Sequence, residues 1–191
     1  MTIFVRNVPI GSEQVTLRRT ADGWTISSSG RLGPPLDAVA RVIEVRYGSD
    51  WSPRELRFDA TVRGTAQSFR TVVDNGNAVT DLDIGGQKTQ KTDAVDASTV
   101  LLLPNSFFGP YEAVAARLRT ATPGAEIPVF GAPSVRFTIR VGESSPQRIQ
   151  TTDRLITAKR TAITLVLPGA SFDGSLWTDE ASRMAGGRPA P

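Results

Sequence analysis

The sequence predicts a mainly β fold, in which a strongly curved antiparallel sheet forms a half-barrel in meander order and one amphipathic helix lies over its concave face. Three observations indicate this class. Apolar and polar residues alternate with a period of two in many short segments, turn residues separate these segments, and a single stretch has helical spacing. A chain of 191 residues can build one continuous core, so we expect a single half-barrel domain over residues 1–180.

The alternation is clearest in residues 55–63 and 135–141. Successive side chains of a strand point to opposite faces, so this pattern is typical of a half-buried antiparallel strand. The apolar residues of these two segments are Leu56, Phe58, Ala60, Val62, Val135, Phe137, Ile139 and Val141. Weaker alternation occurs in residues 2–8, 14–19, 24–29, 42–47, 68–73, 79–84, 149–152, 161–167 and 172–177.

Residues that favour turns lie between these segments. Residues 74–77 contain Asn75 followed by Gly76, and both residue types tolerate the positive φ of a two-residue hairpin turn. Consecutive strands should therefore pair with their neighbours. Other turn sequences occur at residues 21–23, 50–53 and 85–86.

One segment near the middle of the chain has a helical period. Ser106 can cap a helix and Pro110 suits its first turn, and the apolar residues at helical spacing are Tyr111, Val114, Ala115 and Leu118. Thr-Pro-Gly at residues 122–124 ends the pattern, so we expect a helix over about 107–119. A sheet that folds around one helix is naturally a half-barrel whose apolar concave side the helix covers. Residues 181–191 are rich in Gly, Pro and Ala without periodicity, so we expect a disordered tail.

The composition excludes several classes of function. Without Cys there are no disulfides and no thiolate chemistry, and without His there is no Ser-His-Asp triad and no His-ligated metal. The longest apolar run, residues 100–104, is far shorter than the ~20 residues that cross a bilayer. The net charge of +3 comes from arginines interspersed with acidic residues, which does not favour a nucleic-acid partner. We expect no metal and no cofactor.

Asp81 and Asp83 are the candidate catalytic residues. They lie two positions apart on a predicted strand, so their carboxylates project from the same face and could share a proton or bind a hard cation. The alternative is a solvated strand face, because both acids alternate with Thr80, Leu82 and Ile84. The alternation alone favours the solvated face.

An aromatic cluster gives the candidate ligand-binding residues. Phe107, Phe108 and Tyr111 enter the predicted helix directly after an apolar run. They either pack in the core or line the mouth of an apolar cavity between the helix and the curved sheet, where greasy ligands bind in β half-barrels. The bulky residues that could form the walls of such a cavity are Trp24, Ile26, Phe58 and Phe69.

The order of the elements also indicates a family. Residues 8–13 (Val-Pro-Ile-Gly-Ser-Glu), Gly23-Trp24 and the run from Leu101 to Phe108 that leads into Tyr111-Glu112 carry the resemblance. The chain resembles extracytoplasmic bacterial β-sheet domains of unassigned role, some of which lie ahead of an alpha/beta-hydrolase domain. It is more distantly similar to LolA-like lipoprotein carriers. The resemblance implies a periplasmic or secreted location, an apolar concave face and a possible adjacent hydrolase domain, and it transfers no catalytic residue.

Three functions remain open at this point. The leading hypothesis is a non-catalytic binding or accessory domain that accommodates an apolar, lipid-like ligand or packs on a partner domain. The second is a weak hydrolase that acts on esters or phosphoesters through carboxylates, with or without a metal ion. The third is a structural or interaction module whose open sheet edge pairs with another chain.

Overall fold

The computed structural model describes residues 1–5, 8–103, 107–150, 155–180 and 183–189, and 70% of the protein is strand. Its strands are β1 (Thr2–Val5), β2 (Val8–Thr20), β3 (Gly23–Leu32), β4 (Ala38–Tyr47), β5 (Pro53–Val62), β6 (Thr65–Asp74), β7 (Asn77–Ile84), β8 (Gln87–Ala94), β9 (Val100–Leu102), β10 (Glu126–Gly131), β11 (Val135–Gln150), β12 (Leu155–Leu167), β13 (Ala170–Thr178) and β14 (Met184–Pro189). A 3₁₀ turn, Gly109–Tyr111, leads into the short helix α1, Glu112–Arg117.

The strands form two sheets, and the predicted fold class is confirmed. The first sheet has eight strands in the order β1 to β8, each antiparallel to the next, which is a meander. The second has six strands in the order β14-β13-β12-β11-β10-β9 and is curled into a half-barrel. The hairpin at Asn75 and Gly76 also forms as predicted, since both residues have positive φ and join β6 to β7.

The chain divides into two compact units. One contains residues 1–110 and 130–135, and therefore the whole first sheet and β9. The other contains residues 111–129 and 136–191, including α1 and the strands β12 to β14. The expectation of one domain over residues 1–180 stays a prediction. In the part of the chain that the structure describes, no helix has the length and apolar character needed to cross a membrane.

The helix and the tail differ from the sequence prediction in their bounds. The helix is shorter than 107–119 because Pro110 lies in the 3₁₀ turn before it, and because Arg119 and Thr120 donate to carbonyls three residues earlier, which tightens the last turn. Ser106, the predicted cap, lies outside the described residues, as do 181–182 and 190–191. In the predicted disordered tail, Met184–Pro189 instead forms β14 and pairs with β13. Its Gly and Pro residues are tolerated because β14 is an edge strand.

The first sheet has an inner face that is largely buried and an outer face that is polar. The inner face follows from the register, which places Ile26 opposite Val45 and Val45 opposite Leu56. All three side chains are fully buried. The residues directly before and after each of them on its strand point to the other face and carry charges or hydroxyls. Apolar burial on one face of an alternating sheet is the main stabilising contribution of this unit.

A buried tyrosine fixes β9 to this unit. The Tyr47 hydroxyl accepts a hydrogen bond from the Leu101 amide (2.9 Å) and donates to the Leu101 carbonyl (3.3 Å). Tyr47 is 3% exposed and Leu101 is fully buried, so water cannot replace the hydroxyl.

We expect Tyr47→Phe to lower the free energy of unfolding by about 1–3 kcal/mol, because a buried amide and a buried carbonyl each lose a partner. Urea unfolding followed by circular dichroism measures this, and an unchanged m-value shows that the folded and unfolded states are otherwise the same. A loss below about 0.5 kcal/mol, the range of neutral surface changes, would show that β9 is not held by this hydroxyl.

Candidate functional site

Four of the predicted ligand-binding residues share the inner face of the first sheet. Trp24 and Ile26 lie on β3, while Phe58 on β5 is directly opposite Phe69 on β6. The four side chains point to the same face of the sheet. Trp24 and Ile26 are two positions apart on β3, and directly opposed residues on neighbouring strands, from β3 to β6, point to the same face. That these four side chains line a ligand cavity stays a prediction.

Phe58 and Phe69 form a stacked pair, with ring centroids 4.8 Å apart and planes inclined by 24°. Both rings are half-buried, and the row continues to Leu82, which is opposite Phe69. Ile84 is next on the same face and is 47% exposed. We call Phe58, Phe69, Leu82 and Ile84 the phenylalanine patch. It is an apolar surface, partly accessible to solvent, on a face whose apolar residues on β4 are largely buried.

Trp24 does not belong to this patch. It is opposite Tyr47, four positions along β3 and β4 from the row that contains Phe58. Its ring stacks on Trp51 with centroids 5.0 Å apart, and the Arg19 guanidinium lies 5.6 Å from its centroid. The indole of Trp24 is thus in contact with two other side chains, and its stacking on Trp51 stabilises the turn that contains Trp51. Ile26 is fully buried and is a core residue.

Phe107 and Phe108 lie in a segment whose backbone is hydrogen-bonded to a buried carboxylate. Glu13 is 1% exposed and accepts hydrogen bonds from the amides of Phe108 (2.7 Å) and Gly109 (2.9 Å). Phe107 is buried against the backbone of Gly30, which is opposite Glu13. Burial raises the pKa of Glu13 above its ordinary value, and the backbone hydrogen bonds act in the opposite direction. We call Glu13 with its two amide partners the Glu13 clamp.

Sequence reasoning missed this clamp, although one signal was present. Glu13 points to the same face of β2 as Val15 and Leu17, so an acid stands in line with apolar side chains. A Cβ atom on Gly109 would lie 2.6 Å from the Ser28 hydroxyl and 2.7 Å from the Glu13 carboxylate, which explains why glycine fits there. The remaining predicted residue, Tyr111, belongs to the other compact unit, where burial raises the pKa of its phenol.

The predicted carboxylates lie in a groove on the opposite, outer face. This groove of about 710 Å³ crosses β4 to β8 and is lined by two rows of outward side chains. One row contains Val42, Asp59, Ser68, Asp83 and Lys88, and the other contains Arg57, Arg70, Asp81 and Gln90. The alternate residues that complete the groove floor are Phe58, Phe69, Leu82 and Thr89, whose side chains point to the inner face.

Asp81 and Asp83 share the face that their spacing predicts, and each has a partner. Asp81 accepts a hydrogen bond from the Gln90 amide at 2.7 Å, and Asp83 accepts one from the Gly86 backbone at 2.9 Å. Within the described ranges, no three or more Asp, Glu, His or Cys side chains are grouped so that they could hold a metal ion. That the pair shares a proton or binds a cation stays a prediction.

These features define a mainly β protein that combines an antiparallel meander with a curled half-barrel sheet. No protein-family model and no curated protein matches the chain. Among solved structures it is similar to the crystal structure of a DUF1089 family protein from Pseudomonas aeruginosa, with 18% identity, 92% of this chain and 88% of that chain covered, and a TM-score of 0.49.

Proposed function

We propose that the protein is a non-catalytic binding or accessory domain that accommodates an apolar, lipid-like ligand at the phenylalanine patch. The observation that carries this proposal is the stacked pair of Phe58 and Phe69, half-buried and next to the exposed Ile84. Covering such a surface with hydrocarbon is favourable by roughly 25 cal/mol per Å² of apolar area. The same physics allows a partner domain to cover it, and the experiment below distinguishes the two occupants.

The resemblance to LolA-like carriers and to domains that precede a hydrolase adds the finer parts of the proposal. They are a periplasmic or secreted location, transport or storage of a lipid, and a neighbouring hydrolase domain as the partner. The mainly β architecture with a half-barrel sheet is compatible with these roles. Localisation of the protein in its native host by cell fractionation tests the compartment.

Native mass spectrometry of the purified protein, followed by organic extraction, is the direct test for a ligand. A co-purified lipid or fatty acid supports the proposal, and titration of the protein with a fluorescent fatty acid then gives the affinity. If no lipid co-purifies and the fatty acid shows no saturable binding, the lipid version is wrong, and the patch is then tested as a surface for a partner domain.

We expect Ile84→Asp to weaken binding of the fluorescent fatty acid about tenfold, because a charge on the patch must be desolvated by the hydrocarbon. Ile84 is 47% exposed, so the variant should fold. Phe172→Asp is the matched control, since Phe172 is 57% exposed but lies in the other compact unit. Equal weakening by both variants would mean that the fatty acid adsorbs to any exposed apolar side chain.

The hydrolase alternative has one observation in its favour, which is that Asp81 and Asp83 line the outer groove together with Asp59. It requires turnover of an ester or phosphoester that is lost on chelation or in Asp81→Asn. The interaction-module alternative requires self-association, through an edge such as β8, without small-molecule binding. Both stay predictions.

A further inference from the structure

The outer edge of β8 is the long exposed edge of the first sheet. β8 is the last strand in the sheet order, and it pairs with β7 over its whole length, from Gln87 to Ala94, without a register shift. Its side chains are exposed except for Asp93, which is half-buried. The strand at the other end of the sheet, β1, is four residues long and contains a register shift, and both features limit pairing at an edge. An added strand would therefore find its longest regular template at β8.

The hairpin between β7 and β8 determines which backbone groups of β8 point outward. Ile84 and Gln87 flank its two-residue turn, so they exchange both backbone hydrogen bonds, and such pairs alternate along an antiparallel ladder with pairs that exchange none. Every second residue of β8, starting with Gln87, therefore bonds to β7. The N–H and C=O groups of the residues between them point away from the sheet and have no backbone partner in the described part of the chain. These residues are Lys88, Gln90, Thr92 and Ala94.

The same strand contains two opposite charges without a counter-charge. Lys91 and Asp93 are two positions apart and point to the inner face of the sheet. The Lys91 ammonium donates a hydrogen bond to the neutral hydroxyl of Ser134 at 3.1 Å, whereas Asp93 has no hydrogen bond and no ion pair among the described residues. Because burial disfavours the charged form of a carboxyl group, a half-buried carboxylate is stabilised by a nearby cation. Both side chains can therefore take a counter-charge from a second chain.

We propose that two copies of this chain pair through β8, antiparallel and edge to edge, about a two-fold axis at Thr92, with Lys91 of each copy opposite Asp93 of the other. Thr92 then exchanges both backbone hydrogen bonds with Thr92 of the second copy, and Gln90 does so with Ala94. The axis is perpendicular to the sheet and keeps the two inner faces on the same side, so the lysine and the carboxylate meet across the new strand pair. An isologous contact of this kind closes at two copies.

The charges favour this register over its neighbours. An axis at Lys91 or at Asp93 would place two like charges directly opposite each other, which destabilises a strand pair. An axis at Gln90 satisfies equally many outward backbone groups, but it places Asp93 opposite Gln87, which is neutral. The axis at Thr92 satisfies the same backbone groups in number and also brings the opposite charges together. Charge complementarity therefore selects it.

The contact is short, so the dimer should be weak. Lysine on an edge strand hinders indiscriminate pairing, and the register at Thr92 is the one in which Lys91 contributes an attraction. Pairing is confined to one strand of each copy, which buries less surface than stable dimers do. We therefore expect monomer and dimer to be in equilibrium in the micromolar to millimolar range of protein concentration.

This association goes beyond the proposed apolar ligand and does not depend on it. Neither Lys91 nor Asp93 belongs to the phenylalanine patch, so a failed fatty-acid titration would leave the dimer unaffected. Because the two inner faces lie on the same side of the paired sheets, the dimer would present both phenylalanine patches on one face.

Sedimentation velocity at protein concentrations from micromolar to millimolar measures the association. Thr92→Pro removes the outward N–H at the axis, and an edge strand tolerates proline where the N–H faces solvent, so the monomer should fold. We expect this variant to stay monomeric. Thr92→Ala is the matched control, since it keeps the N–H and should dimerise as the wild type does. Circular dichroism checks that each variant is folded.

A charge swap tests the register. Asp93→Lys places like charges opposite each other and should weaken the dimer roughly tenfold, because two symmetric contacts change from attractive to repulsive. Lys91→Asp alone should do the same, and the double variant Lys91→Asp with Asp93→Lys should restore the association. The proposal is wrong if the wild type stays monomeric into the millimolar range, if Thr92→Pro dimerises as well as Thr92→Ala, or if the double variant associates no better than the single ones.

Discussion

Glu13→Ala is expected to lower the free energy of unfolding by about 2–5 kcal/mol, because the amides of Phe108 and Gly109 lose the carboxylate that accepts their hydrogen bonds. Both amides lie against a carboxylate that is 1% exposed, and an unsatisfied buried amide costs about 1–3 kcal/mol. Urea unfolding followed by circular dichroism measures the difference. Glu143→Ala, which removes an exposed acid, should stay within about 0.5 kcal/mol of the wild type.

Glu13→Gln separates the hydrogen bonds from the charge. The amide side chain keeps one carbonyl acceptor, so we expect a smaller loss than for Glu13→Ala. If the free energies of unfolding of both variants are within about 0.5 kcal/mol of the wild type, the clamp does not hold the segment at residues 107–109. The two amides must then have other acceptors.

The pH dependence gives an independent measurement of the same carboxyl group. Burial raises the pKa of Glu13 in the folded state above the ordinary value of 4.5, so the folded protein binds this proton more tightly than the unfolded chain does. The resulting stabilisation is complete below the unfolded pKa and is lost as the pH rises through the folded pKa. The stability of the wild type relative to Glu13→Gln should therefore decrease over that interval, and a difference that is constant or increases would contradict the burial of this group.

The sheet architecture could be predicted because local sequence determines it. The alternation in residues 55–63 and the Asn75-Gly76 turn specify strands and hairpins through contacts between near neighbours in sequence. The strand Met184–Pro189 has no such signal, since Gly and Pro have low strand propensity, and only the pairing with β13 makes it a strand. The helix was correctly located and was predicted too long, because periodicity does not report where the last turn tightens.

Which residues form a candidate site depends on the register of the strands. The alternation of apolar and polar residues does not determine that register. Trp24 and Phe58 were predicted to line one cavity and do share a face, but the pairing of β3 with β4 and of β4 with β5 places them in different rows. The pairing of Arg57 with Arg70 is likewise visible only once β5 and β6 are aligned. A one-residue shift of a strand would move every side chain to the other face, so a site built from several strands is the last feature that a sequence reveals.

The role of Ile26 decides between packing and ligand binding on the inner face. Ile26 was a predicted wall residue, and it is fully buried between Leu17 on β2 and Val45 on β4. We expect Ile26→Ala to lower the free energy of unfolding by about 2–5 kcal/mol, because the transfer free energy of the lost side chain adds to the cost of a cavity that the sheet cannot close. Thermal and urea unfolding measure this loss. Val39→Ala, at a position that is 40% exposed on the outer face, is the matched control and should be nearly neutral.

The same variant separates the core from the proposed ligand site. Ile26 lies one cross-strand row away from the row of Phe58, so its removal should leave the affinity for the fluorescent fatty acid unchanged while the stability falls. A small loss of stability together with weaker binding would instead mean that Ile26 faces a space that the ligand fills. The apolar site would then extend from the phenylalanine patch into the interior of the first unit, because a side chain packed on all sides by the core would lose stability when truncated.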